Sequence, residues 1–166
     1  YNPNHEYYAG LDWGQSNDFT DMPVLDATTK CQVDLLHINK LAWKEQRNRI
    51  KQFYNKWHIK ALGCEMNSIG SVNFEALHDD GLNVIPFNTT NETKADICSD
   101  LYEAIHTNGW RLLDMPQVRH QMQIFISTQL PSGIWRLAAD GEGHDDIVMG
   151  LAIAKWTVLA SKMQLF

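Results

Sequence analysis

A mixed α/β sheet, beginning with three antiparallel strands, continuing with parallel ones and carrying helices on both faces, is the fold class this chain predicts. Two patterns carry the prediction. Short apolar runs separated by turn residues fill the N-terminal part, and strand-type and helix-type segments alternate from Ala61 onward. A third observation gives the sheet a purpose: Asp12 and Glu65 close apolar runs, while Asp145 and Asp146 open an apolar helix. A carboxylate at the end of a hydrophobic strand is costly unless a cation or a metal answers it.

The elements follow in order. His5 to Trp13, Met22 to Thr28 and Val33 to Trp43 read as strands, with Thr29 and Lys30 at a hairpin turn. Ile50, Phe53, Tyr54 and Trp57 then recur at helical spacing. The same segment carries Lys44, Arg47, Arg49, Lys51, Lys56 and Lys60 against the single acid Glu45, a basic stripe that reads most simply as a solvated helix face. Ala61 to Met66 is a short buried strand, and Ser71 to Asp79 a helix that Gly81 ends. Val84 to Phe87 is a further strand, placed at an edge or a strand end by Pro86. Thr93 and Asp96 resemble a capping box for a helix through Ile97, Leu101 and Ile105, closed by Gly109. Pro116 starts a helix running to about Leu130, Ile134 to Ala139 is a candidate strand, and Asp145 begins the last helix.

Composition narrows the class. With 166 residues, 44% hydrophobic content and six Trp, residues 1–166 read as one globular domain without repeat or linker. The tryptophans are expected in the core rather than stacked on nucleic-acid bases. The apolar run from Ile147 to Ala160 is too short to span a bilayer and contains Lys155, and no charged-then-apolar leader is present, so the chain reads as soluble and without a membrane partner. Cys31, Cys64 and Cys98 lack the spacing of a disulfide framework or zinc ribbon, and a reducing compartment fits best. Asn88 and Asn91 stand in N-x-T sequons but read as turn and cap residues. The net charge of −6 argues against a general polyanion-binding surface.

A crossover between parallel neighbours lets the strand of Glu65 lie beside that of Asp12, so that their carboxylates end together. Neighbouring strands are about 4.8 Å apart, and two-metal sites hold their ions about 3.5 to 4 Å apart. The acids at the helix start can close such a site from the side, favoured there by the helix dipole. Buried ion pairs for Asp12 and Glu65, and an N-cap role for Asp145, are the structural alternatives.

GLDWG around Asp12, Glu65 in GCEMNSIG, and GHDDIVMGLAIA resemble, in order and spacing, the three acidic motifs of the nuclease domain of the large terminase subunit of tailed bacteriophages, an RNase H-like fold. The resemblance covers nearly the whole chain. It implies a metal-dependent DNA endonuclease that cuts concatemeric viral DNA during genome packaging, by two-metal phosphodiester hydrolysis with Mg2+ or Mn2+. The implied substrate is double-stranded DNA, and the implied partners are an ATPase motor domain, the portal and the small terminase subunit. The implied location is the packaging motor of the viral procapsid in the host cell cytoplasm. Similar proteins carry the motor ahead of the nuclease, and no GxxxxGK phosphate loop occurs here, so the chain is expected to be the C-terminal part of a longer protein.

On this resemblance Asp12 bridges both ions and Glu65 ligates one of them. Asp145 and Asp146 are about 100° apart around a helix and cannot point alike at one ion; Asp146 is favoured, and both are retained as candidates. Lys94, at the start of the helix after NTTNETK, is placed like a lysine near the active site of similar terminases, where it would contact a scissile-strand phosphate. An ordinary solvated lysine is the alternative. Asp18 and His144 read as turn and loop residues first, and as a metal neighbour or proton carrier second. Two other readings stay open: another RNase H-like nuclease of the resolvase or transposase type, and a non-cutting module that docks DNA or a partner. A proofreading exonuclease fits less well, because Trp13 and Gly14 stand where a D-x-E pattern needs its second acid.

Overall fold

The computed structural model describes residues 1–14, 18–66, 70–129, 135–140 and 143–163. Strands β1 (Tyr7–Leu11), β2 (Thr20–Asp26) and β3 (Cys31–Ile38) pair antiparallel, as the apolar runs predict. The turn between β2 and β3 takes Lys30 to φ 56°, while the Asp26 carboxylate accepts the amides of Thr28 and Thr29. Helix α1 (Trp43–Trp57) follows, then β4 (Ala61–Glu65), α2 (Gly70–Asp79) and β5 (Val84–Phe87). β4 lies parallel to β1 and β5 parallel to β4, giving the strand order β3-β2-β1-β4-β5. β5 is an edge strand, and Pro86, which lacks an N–H, is exposed there.

The C-terminal part contains α3 (Asn91–His106), α4 (Pro116–Ile124), a separate hairpin of β6 (Phe125–Gln129) and β7 (Trp135–Ala139), and α5 (Asp146–Met163). Helices α3, α4 and α5 cover one face of the sheet, and α1 and α2 cover the other. Five of the tryptophans fall within the described side chains and pack in or against these two cores. Among the described residues, no helix is long and apolar enough to cross a membrane.

Three local expectations need correction. Trp43 opens α1 rather than ending β3, because the strand stops at Ile38 and Lys40 turns the chain at φ 55°. The capping box of α3 is Thr90 with Thr93, one turn earlier than Thr93 with Asp96: the Thr90 hydroxyl accepts the Thr93 amide at 3.1 Å and the Thr93 hydroxyl accepts the Thr90 amide at 2.8 Å. The helix begun at Pro116 ends at Ile124, not near Leu130. Phe125 is extended, and the aromatic and β-branched residues of FISTQ pair with β7 instead. Leu130 and Ile134 themselves lie outside the described residues.

Helix α5 is the central helix, buried continuously from Ile147 to Ala154. It can lie this close to the sheet because Gly10 on β1 faces the backbone of Gly150 and Ala154, and Gly63 on β4 faces the side chains of Thr157 and Ile153. Gln121 on α4 accepts the Ile147 amide at 2.8 Å, satisfying one of the first-turn donors of this buried helix end.

Candidate active site

Alternation along a strand decides which side chains reach α5. Tyr8 belongs to the core beneath α5 and Gly10 touches it, so Asp12, the next residue in phase, emerges on that face. Gly63 and Glu65 follow the same rule on β4, and the parallel register pairs Leu11 with Cys64, one step before Asp12 and Glu65. Asp12 also forms an antiparallel bridge with Asp21, and Asp21 pairs with His37 on β3. His37, Asp21, Asp12 and Glu65 thus form a transverse row over four adjacent strands, at the end where α5 begins with Asp146.

The row is shielded from water: Asp12 is 8%, Glu65 9% and Asp21 0% exposed. Burial, together with the charges of Glu65, Asp146 and Asp145 and a hydrogen bond with Glu65, drives the Asp12 carboxyl well above the ordinary carboxylate range. Burial also lifts Asp146 to about 6; the Phe19 amide and His144 oppose that shift, and the charges of Asp21 and Asp18 add to it. Carboxylates perturbed in this way cluster at functional sites.

Each acid has an orienting contact. The Thr89 hydroxyl, just after β5, donates to Glu65 Oε1 at 2.6 Å. The Phe19 amide donates to Asp146 Oδ2 at 3.3 Å, and His144 Nδ1 stands 3.5 Å from that oxygen and 3.6 Å from Asp18 Oδ1. Lys94 Nζ donates to Asp145 Oδ2 at 2.8 Å. The Asp145 carboxylate is therefore engaged by a lysine rather than by the helix amides, and the cap on Ile147 comes from Gln121.

The geometry brings together Asp12, Glu65, Asp145, Asp146 and Lys94, with Asp18 and His144 beside Asp146. Sequence reasoning missed Asp21, His37, Thr89 and Phe19. The Asp21–His37 pairing was not readable, because a turn at Thr29 and Lys30 alone would set Asp21 opposite Ile38, and the register shift between Val24 and Leu25 is part of what brings His37 there.

The acids of the row offer carboxylate oxygens, the hard ligands that suit Mg2+ or Mn2+ rather than softer ions. Among the described residues, no three of His, Cys, Asp or Glu close around a single point. Asp12 and Glu65 share a hydrogen bond. The donor set fits a divalent ion in chemistry and charge.

The ion-free chain has a defined pH response. Asp146 binds its proton up to about 6, against an ordinary value of 3.8. Its contribution to stability is complete below 3.8 and is lost as pH rises through about 6. Asp146→Asn should therefore gain stability relative to the wild type across that window, by roughly 3 kcal/mol at its upper end. Melting curves in EDTA measure this, and a pH-independent difference between the two proteins would contradict it.

The basic stripe on α1 is largely neutralised. Arg49 pairs with Glu45 at 2.9 Å, Lys51 with Asp80 at 3.3 Å, Lys56 with Asp34 at 2.7 Å, and the following Lys60 with Glu6 at 2.5 Å. Arg47 donates to the Asn73 side chain at 2.6 Å.

Strand-borne carboxylates joined by a helix-borne one, on a mixed sheet of this order, define the RNase H-like nuclease class. No family model matches the sequence. The chain is 28% identical over 155 residues to the large terminase subunit of Thermus virus P23-45, covering 93% of this chain and 32% of that protein. It thus spans about a third of the length of the curated relatives it matches. Its structure superposes on the large terminase nuclease of thermophilic phage G20c, solved with bound magnesium, at a TM-score of 0.88 and 27% identity, over 94% of this chain and 83% of that one. The nuclease domain of the Thermus phage P74-26 large terminase gives a TM-score of 0.84 at 28% identity, over 95% of this chain and 82% of that one. Other structures of the G20c nuclease hold cobalt or zinc. The chain is a relative of phage large terminase subunits, similar over most of its length to their nuclease domain.

Proposed function

We propose that this chain is a metal-dependent endodeoxyribonuclease domain that cuts concatemeric viral DNA during genome packaging, by phosphodiester hydrolysis with two Mg2+ or Mn2+ ions. One observation carries the reading: Asp12 stands among Glu65, Asp146 and Asp145 in a water-poor cluster of carboxylates, and relatives of the same fold were solved with divalent metals bound. Bound divalent ions supply an activated water and charge stabilisation at the leaving oxygen.

The chain's own residues would do the rest. Asp12, Glu65 and Asp146 would hold the ions. The Thr89 hydroxyl and the Phe19 amide fix the directions of the Glu65 and Asp146 carboxylates. Lys94, 21% exposed and anchored on Asp145, can turn its ammonium toward a scissile-strand phosphate, so Asp145 acts first through Lys94 and second as a ligand. The substrate is double-stranded DNA, and the domain works as the C-terminal part of a longer packaging protein. That protein would operate with an ATPase motor domain, a portal and a small terminase subunit, at the procapsid in the host cytoplasm.

Supercoiled plasmid incubated with the chain and Mn2+ or Mg2+ tests this. Nicking and linearisation are expected, absent in EDTA and absent in Glu65→Gln. DNA that is bound but never cut, with any divalent ion, would replace the nuclease with a non-cutting RNase H-like docking module.

A further inference from the structure

Asp21 is wholly buried, between Asp12 on one side and His37 on the other. Its Oδ1 meets His37 Nδ1 at 2.6 Å, while its Oδ2 is buried with no hydrogen-bond partner among the described residues. A buried carboxylate oxygen without a donor is rare, because it carries a desolvation cost that nothing offsets. Its placement explains which donor it awaits. Asp21 is the bridge partner of Asp12, their side chains emerge on the same sheet face, and its charge also acts on Asp146.

His37 is fixed in turn. The Phe19 ring stacks on it at 4.1 Å between centroids and 9° between planes, and the edge of the same ring meets His144 at 5.5 Å. The Phe19 amide is the donor to Asp146 Oδ2. One short column, His37 on Phe19 on His144, therefore links Asp21 to the carboxylate at the start of α5.

We propose that Asp21, oriented by His37, is an outer carboxylate of the ion site, with Oδ2 accepting a hydrogen bond from the hydration shell of a divalent ion held by Asp12 and Asp146. His37 and Asp21 are positioning residues: neither ligates the ion, and both set its affinity. Outer partners of this kind orient the ligands and balance the charge of the ion's waters. The proposal rests on the nuclease reading above, and it adds a histidine–aspartate pair that the acidic motifs do not contain.

Isothermal titration of Mn2+ into the full chain tests it, with the wild type, Asp21→Asn, His37→Gln and Asp12→Asn measured side by side. Asp21→Asn preserves shape and removes the charge, and it is expected to weaken Mn2+ binding by about ten- to a hundred-fold. His37→Gln, which retains a donor toward Asp21, should weaken binding less. Melting in EDTA checks that both variants fold. Wild-type affinity in a folded Asp21→Asn chain would overturn the proposal and leave the nuclease reading standing. Absence of Mn2+ binding by the wild type would overturn both. Equal weakening in nicking assays, recovered at higher Mn2+ for Asp21→Asn but not for Asp12→Asn, would support an outer role over a ligand role.

Discussion

Asp12→Asn is expected to abolish DNA cutting while making the ion-free chain more stable. The two effects have one cause. Asp12 is held among Glu65, Asp146 and Asp145 in a site with little water, so its negative charge is useful to a divalent ion and unfavourable without one. Loss of such a carboxylate removes several kcal/mol of charge stabilisation, on the order of a thousand-fold in rate. The folded chain binds the Asp12 proton more tightly than the unfolded chain does, so wild-type stability falls as pH rises above the ordinary carboxylate value. Asparagine has no such proton to lose. In EDTA at neutral pH the variant should therefore melt above the wild type, and with saturating Mn2+ the order should invert, because only the wild type gains binding energy from the ion. A variant that melts below the wild type in EDTA would show that Asp12 is held by compensating charge instead.

Gly10→Ala should be a severely damaging single-methyl change. A Cβ at Gly10 would overlap the Gly150 carbonyl oxygen and the Ala154 amide nitrogen, both backbone atoms of α5 that cannot rotate aside. The helix would have to lift from β1, and overpacking of this kind costs about 3 kcal/mol or more. That corresponds to a melting temperature lower by roughly 10 °C in a chain of this size. Gly81→Ala offers the contrast: nothing lies near its Cβ, and the cost there comes only from the backbone at φ 84°. Because α5 carries Asp146, any Gly10→Ala protein that still folds should also cut poorly, by displacement of that carboxylate from Asp12.

The parts of the fold legible in the sequence are those where burial and backbone pattern agree. YYAGL and ALGCE are short, apolar and bounded by turn residues, so β1 and β4 could be read, and with them the meeting of Asp12 and Glu65. QMQIFISTQ was not readable in this way. Its apolar residues suit a helical stripe as well as a strand, and only pairing with the segment ending at Ala139 selects the extended form from Phe125. Side-chain partnerships lay further out of reach. Lys94 with Asp145, Thr89 with Glu65, and Phe19 with Asp146 are separated widely in the chain and depend on how α3, β5 and the loop before β2 converge. Asp21 was hidden for another reason: an acid at the start of a strand reads as turn chemistry until its neighbour on the sheet is known.

The ion pairs that neutralise α1 bear on how this chain would hold a nucleic acid. A cation already matched by a carboxylate has few condensed ions to displace from DNA, so the entropy of counterion release that drives most non-specific association is largely forgone. Binding by the isolated chain should be weak and should depend only shallowly on salt. As the tethered nuclease domain proposed above, the chain would meet its substrate at a frequency set by the local concentration the tether creates. The span and stiffness of the connection to its neighbours, more than any contact of its own, would then decide when it cuts.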